Sequence, residues 1–406
     1  MNHDATVAAN PTPLLMIPGP IEISPVVLSA AAQPPQSHVS PGFIASFGAA
    51  LGDLRRVVCA DADAQPIVVA GSGTLAMEMA ATNVVGPGEH VVVVSTGYFS
   101  DRMAEMLRRR GAVVTEVAGS LGDVPTLGAI EAAITSATVA VFATHVDTST
   151  GVRVDPQPLA RLARERGLVS VFDGVCAAGA ERLAMADWGV DVVLTASQKA
   201  LGLPVGLGLL VVSPQALARR QALRSPPPLT LDWQSWLPIM RAYEAGQPSY
   251  FATPATTLIV ALQAGLAELL SADPDPVAAM AIVHARQERV ALAMRAAFAV
   301  LGLQLLPAHD EIAAFTLSAL RYPLRANGEQ VGIELVGAIG RHGVAVAGGL
   351  HPAIKGSYFR VGHMGYVTTR PDWLERTVVA IGSSLAAVGA PADTAAAVAA
   401  LGAGLR

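Results

Sequence analysis

Through most of its length the chain alternates short runs of apolar, largely β-branched residues with longer stretches whose apolar positions recur every three or four residues. The short runs predict strands at Ile67 to Ala70, His90 to Ser95, Ala112 to Val117, Thr138 to Thr144, Leu168 to Phe172, Asp191 to Thr195 and Leu207 to Val212. Helices are predicted between them, among them Tyr98 to Arg110, Thr126 to Thr135 and Pro156 to Arg166, after an irregular, Pro-rich start. Apolar strands separated by helices predict an α/β fold with a mostly parallel sheet covered on both faces. Ligands of such sheets gather at the carboxyl ends of the strands, so functional residues are sought there.

Beyond the Pro-rich connection Ser225 to Pro228 and a segment around Trp233 and Trp236, helices are predicted from about Thr256 to Leu270 and Pro276 to Leu301. A strand at Ala314 to Leu320, a helix at Gln330 to Arg341, a strand at Tyr358 to Val361 and an Ala-rich helical tail complete the pattern, with the tail after Pro391 expected to be loosely ordered. The expected organisation is an N-terminal arm over 1–20, a large domain over 21–275 and a smaller C-terminal α/β domain over 276–406.

Composition narrows the class. With 52% apolar residues, a formal charge of −5 and no basic stripe, the chain reads as a small-molecule enzyme and not a nucleic-acid binder. Cys59 and Cys176 form no close pair, which argues against a disulfide framework and for a reducing, cytoplasmic setting. The longest apolar stretches, such as Leu201 to Val212, fall well short of the roughly 20 residues of a spanning helix, so no membrane partner is expected. Met1 to Pro13 does not have the pattern of a signal peptide, and the histidines have no metal-ligand spacing.

Among the 27 basic residues only Lys199 and Lys355 are lysines. Arginine substitutes for lysine at solvated positions but cannot form an imine, so a lysine kept in an apolar, Gly-rich segment points to amine chemistry; chance retention is the plain alternative. Three segments extend the idea. Gly71-Ser72-Gly73-Thr74 leads from a strand into a helix, where free N–H groups favour a phosphate; an ordinary capped turn fits as well. Asp173 ends a strand, where a carboxylate can partner the pyridinium nitrogen of pyridoxal 5′-phosphate (PLP), bind a metal or cap a helix. Thr195 to Gly202 carries Lys199 to the same sheet edge, 26 residues after Asp173. The conjunction is more specific than its parts.

With these residues the sequence resembles the class V aminotransferases of PLP fold type I, and within them the alanine–glyoxylate, serine–pyruvate and serine–glyoxylate group. The resemblance runs from Ile17-Pro18-Gly19-Pro20 to Phe359-Arg360-Val361-Gly362 and is densest at Ser197-Gln198-Lys199-Ala200-Leu201. Pro248-Ser249-Tyr250-Phe251-Ala252-Thr253-Pro254 and Ser37-His38-Val39-Ser40-Pro41 look like the fungal alanine–glyoxylate enzymes.

The resemblance implies roles. Lys199 would form the Schiff base with PLP, Asp173 would face the pyridinium and Phe99 would stack on the ring. Ser72, Gly73, Thr74 and Gln198 would hold the phosphate, joined by Tyr250 and Thr253 of a partner subunit in a homodimer. Thr148 would bond the phenolic oxygen, Arg360 would receive the substrate carboxylate and Gly19 would help close the pocket. The implied reaction moves the amino group of a small L-amino acid, alanine or serine, to glyoxylate, giving glycine and a 2-oxo acid. A class V transaminase acting on ureidoglycine or pyridoxamine is the alternative, with a PLP-dependent lyase behind it. Two departures bear on the donor: relatives commonly carry His-Gly-Glu where this chain has His145-Val146-Asp147, and Gly362-His363-Met364-Gly365 also occurs in relatives with other amine substrates. Both cysteines are expected to be buried thiols.

Overall fold

The computed structural model describes residues 12–406. Its centre is a seven-stranded sheet of β1 (Gln65–Ala70), β2 (His90–Ser95), β3 (Val113–Ala118), β4 (Thr138–Thr144), β5 (Val169–Asp173), β6 (Val192–Ala196) and β7 (Leu207–Val212), in the order β1-β7-β6-β5-β4-β2-β3. All neighbouring pairs are parallel except those of β7, which runs against both β1 and β6. The reason lies in the connection: only residues 197–206 separate β6 from β7, too few for the crossover that a parallel pair requires. Each strand falls within two residues of its expected bounds. β2, β5 and β6 present buried residues on both faces, as strands covered by helices must.

The expectation of an irregular start is corrected. Two helices occupy it, α1 (Pro25–Ala31) and α2 (Pro41–Val57), each opened by a serine whose hydroxyl accepts a backbone N–H and by a proline in the first turn. Phe43, Phe47, Leu51 and Leu54 of α2 form one buried face. Helices α3 (Gly73–Val84), α4 (Tyr98–Arg109) and α5 (Pro156–Glu165) follow β1, β2 and the Val152–Arg153 strand, and α6 (Thr256–Leu270) packs on α1 and α2.

The long helix α7 (Pro276–Val300) belongs to both hydrophobic cores: Met280 and Val283 join the core around the main sheet, whereas Val290, Ala293, Met294 and Phe298 join a second one. That second core lies against β8 (Leu317–Arg321), α8 (Glu334–Arg341), β9 (Ala347–Gly348) and β10 (Tyr358–Gly362), whose sheet is antiparallel in the order β8-β10-β9. Leu14 and Met16 also enter it, because Leu14–Leu15 pairs with Val344–Ala345; residues 1–11 of the expected arm lie outside the described residues.

The tail is not loosely ordered. Helix α9 (Pro371–Ala387) is followed by α10 (Thr394–Leu405), capped by Asp393 and packed along α7, with Ala397 and Leu401 buried. Composition alone misses this, since alanines bury little area each and succeed here only by letting two helices approach closely. Cys176 is buried as expected, but Cys59 is only half-buried, which corrects the expectation of two buried thiols; both thiols are free. Among the described residues no helix is long and apolar enough to cross a membrane.

Candidate active site

The carboxyl ends of β1, β2, β4, β5 and β6 meet at one edge of the sheet, and the turns that leave them enclose a cavity of about 260 Å³. Gly19, Ser72, Gly73, Thr74, Phe99, Thr148, Asp173, Gln198 and Lys199, all singled out from the sequence, line it.

One wall is the start of α3. Ser72 caps the helix, its hydroxyl accepting the Leu75 N–H at 3.3 Å, and a Cβ at Gly73 would stand 2.9 Å from Val175 Cγ2 and 3.2 Å from Ala196 Cβ. Glycine thus lets the helix start press against the β5 and β6 turns while its N–H groups remain directed outward. Arg102 of α4, which sequence reasoning gave no role, also lines the cavity and donates to Thr74 Oγ1 at 3.0 Å, setting a cation beside that wall.

The opposite side carries Asp173 and Lys199. Asp173 is 3% exposed; one carboxylate oxygen accepts the Val175 N–H at 2.9 Å, and among the described residues the other has no partner. Burial pushes its carboxyl up to about 7, against the Val175 hydrogen bond and the charge of Lys199. Burial likewise holds the Lys199 ammonium below its usual range, and the nearby Arg360 charge adds to that. The turn bearing the lysine is pinned by Ser197, whose N–H donates to Leu207 O at 3.1 Å and whose hydroxyl accepts the Leu207 N–H at 3.1 Å. Lys199 Nζ donates to Pro18 O.

Phe99 opens α4 under tight constraint from Asp147. That carboxylate is fully buried and accepts the N–H groups of Phe99 at 3.1 Å, Ser100 at 3.2 Å and Ser149 at 3.0 Å, together with the Ser149 hydroxyl at 2.6 Å. Asp147 therefore serves the helix start and not the pocket wall, whereas Val146 lines the cavity.

Three expected residues lie off the cavity lining. Arg360 sits at its edge with two donors already used, Nε to Gly348 O at 2.9 Å and Nη1 to Thr148 O at 3.1 Å. Tyr250 and Thr253 are exposed and face each other, their hydroxyls 3.4 Å apart.

The donor set fits PLP. The capped helix start, Arg102 and the amide N–H groups of Gln198 can donate to a phosphate; the free oxygen of Asp173 suits a protonated ring nitrogen; and Lys199 supplies the amine.

The comparisons agree with that chemistry. The family pattern described as aminotransferase class-V matches residues 29–362. Alanine–glyoxylate aminotransferase 1 of Saccharomyces cerevisiae is 35% identical over 374 residues, which cover 86% of this chain and 91% of that one. The crystal structure of alanine–glyoxylate aminotransferase from Nostoc sp. shares the fold with a TM-score of 0.83 at 28% identity, covering 92% of this chain and 96% of that one. Pyridoxamine–pyruvate aminotransferase from Mesorhizobium loti matches the fold with a TM-score of 0.87 over 97% of both chains, at 23% identity. The chain belongs to the class-V aminotransferases, enzymes of PLP fold type I, and its cofactor is pyridoxal 5′-phosphate.

Proposed function

We propose that the enzyme moves the amino group of alanine or serine to glyoxylate, forming glycine and the corresponding 2-oxo acid. The observation that carries the reading is the meeting of Lys199, Asp173 and the start of α3 on the walls of one 260 Å³ cavity with Arg360 at its edge. The alanine–glyoxylate relative, 35% identical across most of both chains, supports the choice of donor and acceptor.

When bound, PLP supplies an electron sink for the substrate's α-carbon. The residues of this chain divide the remaining work. Ser72, Gly73, Thr74 and Gln198 would anchor the phosphate, and Thr148 the phenolic oxygen. Asp173, ionised beside the ring nitrogen, would keep that nitrogen protonated. Lys199 Nζ, held below its usual basicity by burial, is suited to take the α-proton and return it. Arg360 would bind the substrate carboxylate through the terminal N–H donors that Gly348 and Thr148 leave free. Phe99, fixed by Asp147, would form a flat wall for the ring, and Gly19 would close the pocket above Lys199.

A homodimer is part of the same proposal. Tyr250 is 63% exposed, and with Thr253 it would complete the phosphate site of a partner subunit.

The test supplies the purified, PLP-loaded enzyme with glyoxylate and, in turn, alanine, serine, ureidoglycine and pyridoxamine. Glycine formed from alanine or serine with matching pyruvate or hydroxypyruvate is the expected result; activity with pyridoxamine or ureidoglycine alone would overturn the donor assignment.

A further inference from the structure

A second cavity, of about 290 Å³, lies on the far side of the turn that carries Lys199. Ala200, Leu201 and Gly202 form its floor, and α6 and α7 form its sides. The active-site cavity touches Gln198 and Lys199 of the same turn, so the two spaces stand back to back across a few residues.

Two opposite charges face this cavity without meeting. Glu268, near the end of α6, accepts the Ser24 hydroxyl at 2.6 Å through Oε2, and its other oxygen has no partner among the described residues. Arg286 of α7 donates through Nε to Thr368 Oγ1 at 3.3 Å, and its terminal nitrogens likewise have none. The attraction of Glu268 reaches the guanidinium, yet no ion pair forms between them. Beside them Gln287 is 2% exposed. Its amide nitrogen is spent on Phe315 O at 2.6 Å and His363 O at 2.9 Å, which leaves its oxygen as an unpaired acceptor on the lining. Leu201, Leu269 and Val283 supply apolar surface.

A carboxylate-binding fork, a carboxylate with a neighbouring amide acceptor, and an apolar wall describe the complement of a zwitterionic amino acid. We propose that this cavity is a second binding site, distinct from the active site, for a free α-amino acid. The ligand carboxylate pairs with the terminal nitrogens of Arg286, the ammonium meets Glu268 and Gln287 Oε1, and the side chain lies against Leu201 and Val283. The assignment goes beyond the proposed reaction and holds whatever the amino donor is.

L-Proline is the probe, because its secondary amine cannot be transaminated. Holoenzyme with its active site blocked by aminooxyacetate is titrated with proline by calorimetry. The expected result is one proline per chain, with binding weakened at least about tenfold in Arg286→Leu and in Glu268→Gln, and about tenfold weaker for propionate, which has no ammonium. Both variants should keep wild-type turnover without proline, since neither residue touches the active-site cavity. If Arg286→Leu fails to fold, Glu268→Gln at the rim and the propionate comparison decide. No saturable binding to the blocked holoenzyme, or unchanged affinity in the variants, would overturn the proposal.

Discussion

Gly19 and Lys199 approach so closely that no side chain fits between them: a Cβ on Gly19 would stand 2.5 Å from Lys199 Cδ and 2.9 Å from Nζ. Gly19 also has a φ of +102°, in the region that favours glycine. Gly19→Ala should strain this segment and displace the lysine amine, lowering the melting temperature somewhat and kcat about 10²-fold, as expected for an ångström-scale shift of a reacting group. Turnover and cofactor content measured together check this; an active Gly19→Ala enzyme would show that the contact is dispensable.

Asp147 is the buried acceptor on which the start of α4 depends. Asp147→Ala strands the N–H groups of Phe99 and Ser100, and each buried unsatisfied donor costs roughly 1–3 kcal/mol. The variant should melt earlier and bind PLP more weakly. Asp147→Asn, keeping one acceptor oxygen, should fall between it and wild type in thermal melts and cofactor titrations.

Burial makes the ionised form of Asp173 costly to the folded chain. Its folded carboxyl is raised by burial from 3.8 to about 7, so between those values the folded, cofactor-free chain holds a proton that the unfolded chain has released. Stability from this group therefore drains as pH rises through the window. In melts of cofactor-free protein, Asp173→Asn should exceed wild type at pH about 8, with the gap closing as pH falls toward about 4. The same variant should lose most transaminase activity, because a neutral amide cannot hold the ring nitrogen protonated.

Arg360 has only part of its fork available, since Gly348 and Thr148 hold two donors. Arg360→Lys should lower kcat/KM for amino acid donors about 10²-fold, chiefly through KM, while leaving cofactor content unchanged. Steady-state kinetics with alanine provide the check, and unchanged constants would remove Arg360 from substrate binding.

The strands were legible because covered parallel strands leave near-continuous apolar runs, such as Val91 to Val94, between helices. The reversal of β7 was also within reach, from the ten residues that separate it from β6. Helix α2 carried two signals that a Pro-rich reading obscures, the Ser40-Pro41 start and the Phe43, Phe47, Leu51 and Leu54 face. The order of α10 was not legible, because it rests on Ala397 and Leu401 packing against a helix about 100 residues earlier in sequence. In the site, residues at strand ends declared themselves through spacing: Ser72, Asp173 and Lys199. Arg102 and Asp147 did not, since one acts across α3 and α4 and the other through backbone groups nearly 50 residues away.

The chain's two lysines make the central claim directly measurable. The PLP-loaded enzyme is reduced with borohydride, digested and mapped by mass spectrometry. A pyridoxyl group on the Lys199 peptide and none on the Lys355 peptide is the predicted result. The label on Lys355, or a Lys199→Ala enzyme with wild-type turnover, would contradict it.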